Sequence, residues 1–183
     1  MRKSKEEAAE TRRRIITAAA GEFRERGIVA TGLAALMQTA GLTHGGFYKH
    51  FESKDQVVAE ACAEAVRVLL EKLEDAPSKG SVLESYLSIR HRDDPATGCP
   101  LAALGSELAR SDDKTRAAAT EGFLRLVNVL AGKSGRVPPE VARRRALVAV
   151  STMIGAVTMS RVVTDAELSA EILMEAEKSL TEG

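Results

Sequence analysis

The chain has 183 residues with 26 basic and 26 acidic side chains, so its formal net charge at pH 7 is zero and a polybasic protein is excluded. With 44% hydrophobic residues it can bury a sizeable core, which excludes a disordered chain. Only 3% of the residues are aromatic, and alanine and leucine are abundant, so we expect an all-α fold.

Neither the cysteines nor the apolar segments indicate a secreted or membrane protein. Cys62 and Cys99 are too few for a disulfide framework, and they lack the spacing of a zinc site. The N-terminus has no apolar stretch of signal-peptide length, and the longest apolar segment without charge, residues 146–160, is too short to span a bilayer. We therefore expect a soluble, cytoplasmic protein with no membrane contact, no metal and no cofactor.

Four helices are predicted in the N-terminal part of the chain. Apolar residues at spacings of three and four between residues 15 and 23 indicate a first helix, and Gly27 is a natural left-handed stop. Thr31, Thr43 and Ser53 are suitable N-caps for the three helices that follow. The predicted helices span about residues 11–26, 31–40, 43–51 and 54–74.

Five more helices are predicted beyond residue 75. Loop-forming residues break the pattern at 76–80 and 93–98, while Pro100 and Pro138 are suited to helix starts and Asp112 is a suitable N-cap. The predicted spans are about residues 81–90, 100–108, 112–132, 138–162 and from 164 onward. About nine helices are therefore expected, without an internal repeat.

Charge is unevenly distributed along the chain. Residues 1–54 contain ten Lys or Arg and six Asp or Glu, a net charge of +4, whereas the remaining 16 basic and 20 acidic residues give −4. This polarity suits a DNA-binding head on an acidic body. For the run Arg12 to Arg14, a solvated helix face is an alternative to a phosphate contact.

Residues 31–51 have capping, turn and core residues in the order typical of a helix-turn-helix. Gly41 permits a left-handed turn, Leu42 fits between the two helices, and Phe47 and Phe51 are expected to face inward. Two adjacent glycines in a helix cost about 1 kcal/mol each relative to alanine, and their presence suggests close backbone approach to a major groove. The residues left facing outward are His44, Gly45, Gly46, Tyr48 and Lys49.

Charged side chains are absent from the centre of this segment, since no Asp, Glu, Lys or Arg occurs between residues 27 and 48. We expect Lys49 and Lys54 to supply the cations that contact phosphates, and the Thr43 hydroxyl at a helix N-terminus also favours a phosphate. A plain helical hairpin, with the aromatic residues as core and the glycines as a break, is the alternative interpretation.

The stretch over residues 11–61, and above all residues 41–54, resembles the DNA-binding domain of the TetR family of bacterial transcriptional regulators. The resemblance implies an all-helical homodimer. It also implies a helix-turn-helix head, residues 1–53, and a helical effector-binding and dimerisation domain, residues 54–183, with helix 54–74 connecting the two.

The same resemblance places the recognition helix on residues 43–50 and implies phosphate contacts by Lys54 and Thr31. Because two of the base-facing positions are glycines, few side chains can contact base edges directly. DNA shape must therefore supply more of the specificity. The candidate DNA contacts are Thr31, Thr43, His44, Gly45, Gly46, Tyr48, Lys49, His50 and Lys54.

The C-terminal part carries weaker signals for a ligand site. A pocket between helices would be lined mainly by apolar side chains with a few polar ones. Cys99, beside a proline, is either a thiol sensor or a small buried hydrophobe. The candidate ligand residues are Tyr86, His91, Cys99, Phe123, Met153 and Met159.

A dimer interface is expected on the last two helices. Small residues within 146–160 would let a partner helix approach closely, although ordinary intrachain core is the alternative for each of them. The candidate interface residues are Ala146, Met153, Gly155, Leu168, Ile172 and Leu173.

These observations favour a DNA-binding transcriptional regulator, a repressor released from a palindromic operator when a small molecule binds the C-terminal domain. Its expected partners are double-stranded operator DNA, a small-molecule effector and a second copy of the chain. We do not expect an enzyme, because the sequence has none of the common nucleophile, phosphate-loop, zinc-protease or dinucleotide motifs. A helical protein-interaction module without a DNA or catalytic role is the alternative function.

Overall fold

A computed structural model describes residues 5–182, except for the side chain of His44. Within this range the chain forms nine α-helices and two 3₁₀ helices without any strand, which confirms the all-α prediction. The α-helices are α1 (Lys5–Arg26), α2 (Leu33–Thr39), α3 (Lys54–Glu74), α4 (Lys79–Tyr86), α5 (Ile89–Asp93), α6 (Pro100–Leu108), α7 (Asp113–Gly132), α8 (Pro139–Val162) and α9 (Ala166–Glu182). The 3₁₀ helices span His44–Lys49 and Pro95–Thr97.

Two helical regions outside residues 31–51 differ clearly from the sequence prediction. Helix α1 begins at Lys5 instead of near residue 11, and acidic residues in its first turn complement the positive end of the helix dipole. The single helix predicted over 81–90 is wrong. Ser88 starts a separate helix there, because its hydroxyl accepts a hydrogen bond of 3.1 Å from the His91 N–H.

The N-caps predicted at Ser53 and Asp112 are confirmed. Ser53 Oγ accepts a hydrogen bond of 3.1 Å from the Gln56 N–H, and Asp112 Oδ1 accepts one of 2.8 Å from the Thr115 N–H. Each cap satisfies an otherwise unpaired amide in the first helical turn and so fixes where α3 and α7 begin.

The buried apolar side chains form two adjoining clusters. The head cluster is built by α1, α2, the 3₁₀ helix His44–Lys49 and the first half of α3, with Leu104 and Leu108 added by α6. The body cluster is built mainly by the second half of α3 with α4, α7, α8 and α9. Along α3 the division falls between Ala65 and Val66, so this one helix belongs to both clusters.

Helix α8 is long and apolar enough, by length and composition alone, to cross a membrane. In the fold it packs against α7 and α9, and 39% of its most apolar window is buried inside the chain. Core helices of soluble proteins pass the same test, so this property is weak evidence for a membrane span.

Candidate functional site

The turn between α2 and the next 3₁₀ helix is fixed from α1. Gly41 has a φ of +68°, the left-handed conformation that the sequence predicts for it. Arg14 Nη2 donates a hydrogen bond of 2.7 Å to the Ala40 carbonyl. A Cβ atom on residue 41 would lie 2.9 Å from the same nitrogen. Gly41 therefore supplies both the backbone conformation and the space that this turn needs.

Two phenylalanines anchor the recognition segment, His44–Lys49, to the head. Phe47 and Phe51 are buried with their ring centroids 5.6 Å apart, which confirms that both face inward. The Arg12 guanidinium lies 4.5 Å from the Phe51 ring centroid and pairs with Glu60 of α3. Helices α1 and α3 are thereby joined around the end of the segment.

The other side of the recognition segment faces solvent. Tyr48 exposes 68% of its surface and packs edge-on against Phe47, with ring centroids 5.2 Å apart. Thr43, Gly45 and Lys49 are also exposed, and Gly46 and His50 are half-buried. The side chain of His44 lies outside the described part of the structure. This face offers hydroxyl groups and a lysine to a phosphate backbone.

The recognition segment is a 3₁₀ helix and not the predicted α-helix. Its hydrogen bonds span three residues, as from the Gly46 N–H to the Thr43 carbonyl at 3.0 Å. Thr43 occupies the N-cap position, but the predicted cap is missing because its side chain makes no capping hydrogen bond. Its hydroxyl is thus not used by the helix start.

The two adjacent glycines are not required by the fold. No heavy atom lies within 4 Å of a Cβ built on Gly45, and the nearest to one on Gly46 is Met37 Cε at 3.6 Å, an ordinary contact. Neither glycine has a positive φ. The open surface beside them therefore allows another macromolecule to approach the backbone closely.

Thr31 and Lys54 brace the loop between α1 and α2. Thr31 is buried, and its hydroxyl donates a hydrogen bond of 2.7 Å to the Gly27 carbonyl. It does not cap α2, whose N-cap position is taken by Gly32. Lys54 is half-buried and its ammonium donates to the Ile28 carbonyl. The structure thus turns Thr31 inward, away from the exposed face, and gives Lys54 an internal partner.

The arginines near the start of α1 have internal partners. Arg12 pairs with Glu60, and Arg13 pairs with Glu10 on the same helix. Arg14 donates to the turn before the recognition segment, as described above. These contacts favour the structural interpretation of the arginine run over a phosphate-binding one.

The body contains a cleft of about 650 Å³ between α3, α4, α5 and the loop that precedes α6. Tyr86 and His91 line it, as the sequence predicts for ligand residues. The other lining residues are Leu69, Lys72, Leu73, Ser81, Glu84, Ser85, Ser88, Arg90, Asp94, Thr97 and Gly98. The lining combines apolar and charged side chains, and so suits a ligand with both characters.

The remaining ligand candidates lie elsewhere. Phe123 lines a separate groove of about 360 Å³ between α6, α7 and α8. Met153 is buried in the body cluster, and Met159 is exposed on α8, so neither lines the cleft. Cys99 is buried next to the lining residue Gly98. Of the six candidates, only Tyr86 and His91 line the cleft, and Cys99 lies directly behind them.

His91 joins the cleft to the loop before α6. Its Nδ1 lies 2.6 Å from the Tyr86 carbonyl, and its Nε2 accepts a hydrogen bond of 2.9 Å from the Cys99 N–H. The imidazole is therefore neutral, with its proton on Nδ1. Burial lowers the pKa of His91, which also favours the neutral form.

Two contacts connect the body to the head through α6 and the loop before it. Arg24 Nη1 of α1 donates a hydrogen bond of 2.9 Å to the Gly98 carbonyl. The Val29 N–H, in the loop before α2, donates one of 3.0 Å to Glu107 Oε1 of α6. The sequence did not indicate a role for Arg24 or Glu107, because a single arginine or glutamate on a helix carries no signal of a long-range partner.

The cysteines do not have the properties of thiol sensors. Both are buried, and burial raises the pKa of Cys62 to about 11 and also raises that of Cys99. A reactive thiol needs the thiolate form and access to solvent. The structure therefore favours the interpretation of Cys99 as a small buried hydrophobe.

The dimer candidates divide into buried and accessible residues. Ala146, Met153 and Leu173 are each at most 3% exposed in the body core, so they have no surface to offer a partner. The interface prediction is corrected for these three, because packing within the chain already uses them. Gly155 and Leu168 are exposed, and Ile172 is half-buried. No group of three or more side chains that could hold a metal ion occurs in the described residues 5–182.

Comparison with known proteins identifies relatives over both parts of the chain. Residues 15–61 match the family model of bacterial regulatory proteins of the tetR family. Residues 81–173, about half of the chain, match the C-terminal domain of LmrA/YxaF-like transcriptional regulators.

Individual relatives agree with the family models. A Mycobacterium tuberculosis protein named as an uncharacterized HTH-type transcriptional regulator is 29% identical over 166 residues, which cover 84% of this chain and 86% of that protein. The HTH-type transcriptional regulator TtgR of Pseudomonas putida is 43% identical over 75 residues, 41% of this chain and 32% of TtgR. The crystal structure of reduced NemR from E. coli has the same fold, with a TM-score of 0.78 and 19% identity over 94% of this chain and 96% of NemR.

The family models cover the helix-turn-helix and most of the body, and they favour a DNA-binding regulator over a helical protein-interaction module. The geometry agrees, because the recognition segment is held from behind by two buried phenylalanines while its other side is open. The chain belongs to the TetR family of bacterial transcriptional regulators.

Proposed function

We propose that the protein is a cytoplasmic, homodimeric repressor that binds a palindromic operator and releases it when a small molecule occupies the body cleft. We propose residues 1–53 as the head and 54–183 as the body, joined by α3. The observation that carries the proposal is the position of the cleft next to the head. Gly98 lines the cleft, and its carbonyl accepts a hydrogen bond from Arg24 of the head. The proposed action is binding and release, without catalysis.

In the proposed complex the exposed side of each recognition segment enters a major groove. Gly45 and Gly46 let the backbone approach the base edges, and Tyr48 donates its hydroxyl hydrogen to a phosphate. Lys49 supplies a cation, and the hydroxyl of Thr43 and the side chains of His44 and His50 are further contacts. Two heads about 34 to 36 Å apart would reach successive grooves on one face of the duplex.

The second copy is proposed to pack on α8 and α9. An exposed stripe runs along α8 at spacings of three, four and seven residues, and Leu168 extends it onto α9. Its α8 members are Val148, Gly155, Met159 and Val162. An apolar stripe with a glycine at its centre fits close antiparallel or crossed packing against its own copy.

The effector would act through the loop at the edge of the cleft. A ligand that displaces Tyr86 or His91 must move the Gly98 carbonyl, because the Cys99 N–H is bonded to the imidazole. Loss of the Arg24 contact then removes one of the two hydrogen bonds that connect the head to α6 and the loop before it, and so changes the spacing of the two heads. Because the two equilibria are linked, an effector that weakens DNA binding by a given factor must bind the DNA-bound protein more weakly than the free protein by the same factor.

The DNA-binding part of the proposal is tested with a palindrome selected by the protein from random duplex DNA. We expect the double variant Tyr48→Ala, Lys49→Ala to lose at least about tenfold in affinity, because each head loses phosphate contacts of about 1 kcal/mol or more. Lys114→Ala is the matched control, since Lys114 is exposed on α7 in the body. Equal gel-shift affinities for all three proteins would show that the exposed face is not the DNA-binding site.

A further inference from the structure

A single imidazole lies between the body cleft and the head. From the cleft outward, the Tyr86 carbonyl accepts from His91 Nδ1 and His91 Nε2 accepts from the Cys99 N–H. The peptide bond that contains this N–H also contains the Gly98 carbonyl, which accepts from Arg24 of α1. The position of α1 is thus connected to the acceptor nitrogen of His91 through one rigid peptide unit.

The fit between the imidazole and the loop is close. A Cβ atom on residue 98 would lie 2.5 Å from His91 Cδ2 and 2.6 Å from His91 Nε2. No side chain larger than hydrogen can occupy this position while the ring stays in place. The ring and the loop are therefore in direct contact at residue 98, so a change in the hydrogen bonding of the ring acts on the loop.

A second proton on His91 removes this bond. Protonated Nε2 is a hydrogen-bond donor and can no longer accept from the Cys99 N–H. Two N–H groups then point at each other without an acceptor. The added charge also meets Arg24 and Arg161, both partly buried, while the Asp94 carboxylate is already bonded to the Thr97 N–H at 3.2 Å and hydroxyl at 2.6 Å. Protonation therefore pushes the loop away from the ring.

We propose that His91 is a positioning residue that makes DNA binding sensitive to protons: neutral His91 holds the Gly98 carbonyl against Arg24, and protonated His91 releases the head. The proposal concerns this chain's own coupling between body and head, and does not depend on the identity of an effector.

The charges around His91 support the sign of the effect. In addition to burial, Arg161 of α8 and Arg24 of α1 lower the pKa of His91, whereas the hydrogen bond to the Tyr86 carbonyl at the end of α4 and the Asp94 carboxylate of the 3₁₀ turn raise it. Arg24 Nε and Arg161 Nη1 are buried with no hydrogen-bond partner among the described residues, so the surroundings are both cationic and poorly solvated. The titratable groups near the bridge are Arg24, Cys62, Lys72, Tyr86, Arg90, Asp93, Asp94, Cys99 and Arg161.

The pKa of His91 is held below its usual value of 6.5, chiefly by burial. The contribution of the neutral ring to the stability of the folded protein is therefore complete above pH 6.5. It is lost as the pH falls through the lowered pKa of His91. The head contains two further histidines, His44 and His50, in the recognition segment and directly after it. The contribution of His91 must therefore be isolated from theirs.

The free protein tests the bridge without any DNA. We expect the His91 ring resonances to report a pKa below 6.5 and the Cys99 amide to lose its protection from hydrogen exchange over the pH range in which the ring is protonated. A Cys99 amide that stays equally protected while the ring titrates would overturn the proposal, whether or not the protein binds DNA.

The coupling to DNA is tested by measuring affinity for the selected palindrome against pH for three proteins. Arg24→Gln removes the link to the head but leaves His91 in place. Arg26→Gln is the matched control, since Arg26 lies on the same helix and its ion pair among the described residues is with Glu22 at 3.3 Å. Relative to Arg24→Gln, wild type and Arg26→Gln should lose affinity by up to about a hundredfold per pH unit below the His91 pKa, the slope of two protons, one for each subunit of the dimer. Identical pH profiles for all three would contradict the proposal.

A second variant covers the case in which Arg24→Gln does not fold. Gly98→Ala places a methyl group where the ring lies, so the bridge is broken at neutral pH. We expect a folded protein, as judged by circular dichroism, that binds the palindrome at pH 7.5 about as weakly as wild type does after His91 is protonated. Wild-type affinity and wild-type pH dependence in this variant would show that the bridge does not position the head.

Discussion

The glycines of the head have two different physical roles. At Gly41, φ is +68° and an added Cβ would lie 2.9 Å from Arg14 Nη2, so the fold itself requires glycine there. At Gly45, φ is not positive and nothing lies within 4 Å of an added Cβ. The same residue type is therefore structural at one position and available for binding at the other.

Substitution of these two glycines by alanine should have opposite effects. Gly41→Ala should lower the free energy of unfolding by about 1 to 2 kcal/mol, because the left-handed conformation crowds Cβ. Gly45→Ala should leave it unchanged or raise it by up to about 1 kcal/mol, but should weaken binding of the selected palindrome because the added methyl group lies in the protein–DNA contact. Urea denaturation and gel shift measure the two quantities. Full DNA affinity in Gly45→Ala would remove the argument for close backbone approach.

The buried thiols lead to a prediction about chemical reactivity. Because burial raises the pKa values of Cys62 and Cys99 and hides both from solvent, neither should react with iodoacetamide at pH 7.5 in the native protein. Both should react in urea. Mass spectrometry of the alkylated protein counts the modified thiols, and rapid labelling of Cys99 alone in the native state would restore the sensor interpretation.

At the level of helices, local signals predicted some helix starts and missed others, since neither Thr31 nor Thr43 caps the helix that follows it. The hydroxyl of Ser53 and the carboxylate of Asp112 cap helices as expected, because capping depends on neighbours within one turn. The break at Ser88 was missed, since the sequence around it is compatible with one continuous helix. The orientation of α8 could not be predicted, because that helix is apolar on most sides and the pattern does not mark the core-facing stripe.

The same limit applies to the candidate sites. The DNA-binding segment could be located because glycine, threonine and aromatic residues occur there in a specific order. Ala146 and Leu173 were assigned to an interface although they are core, since small and apolar residues suit both. Arg24 and Glu107 could not be found at all, because their partners lie 74 and 78 residues away along the chain.

The exposed stripe on α8 predicts the effect of a charge on dimerisation. Val148→Glu should shift the protein from dimer to monomer in analytical ultracentrifugation at micromolar concentration, because the carboxylate would be buried without a partner. Leu124→Glu is the matched control, since Leu124 is an exposed apolar residue on α7 outside the stripe. A variant at Val148 that remains as dimeric as wild type would place the interface elsewhere.

Across the whole molecule, opposite net charges are separated between the two ends of the chain, but several cations of the head are paired within it. Residues 1–54 have a net charge of +4, yet Arg12, Arg13 and Arg26 each pair with a glutamate. Lys49 forms no ion pair with another described residue. The head thus has fewer cations available for phosphates than its net charge suggests.

The salt dependence of DNA binding should therefore be shallow. If each head neutralises about two phosphates, a dimer releases about four counterions and the slope of log K against log salt should be about −3 to −4. Fluorescence anisotropy with the selected palindrome between about 50 and 300 mM salt gives this slope. A slope steeper than about −7 would mean that further cations, such as those before residue 5, contact the DNA.

The pair formed by Gly98 and His91 also has an evolutionary consequence. Since any side chain at position 98 would collide with the imidazole, a larger residue there is compatible with this arrangement of the loop only when residue 91 is no longer histidine. The two residues should therefore be inherited together, and relatives with a bulkier residue in place of Gly98 should lack the histidine. Such covariation would divide these regulators into a lineage that responds to acid through this loop and one that does not.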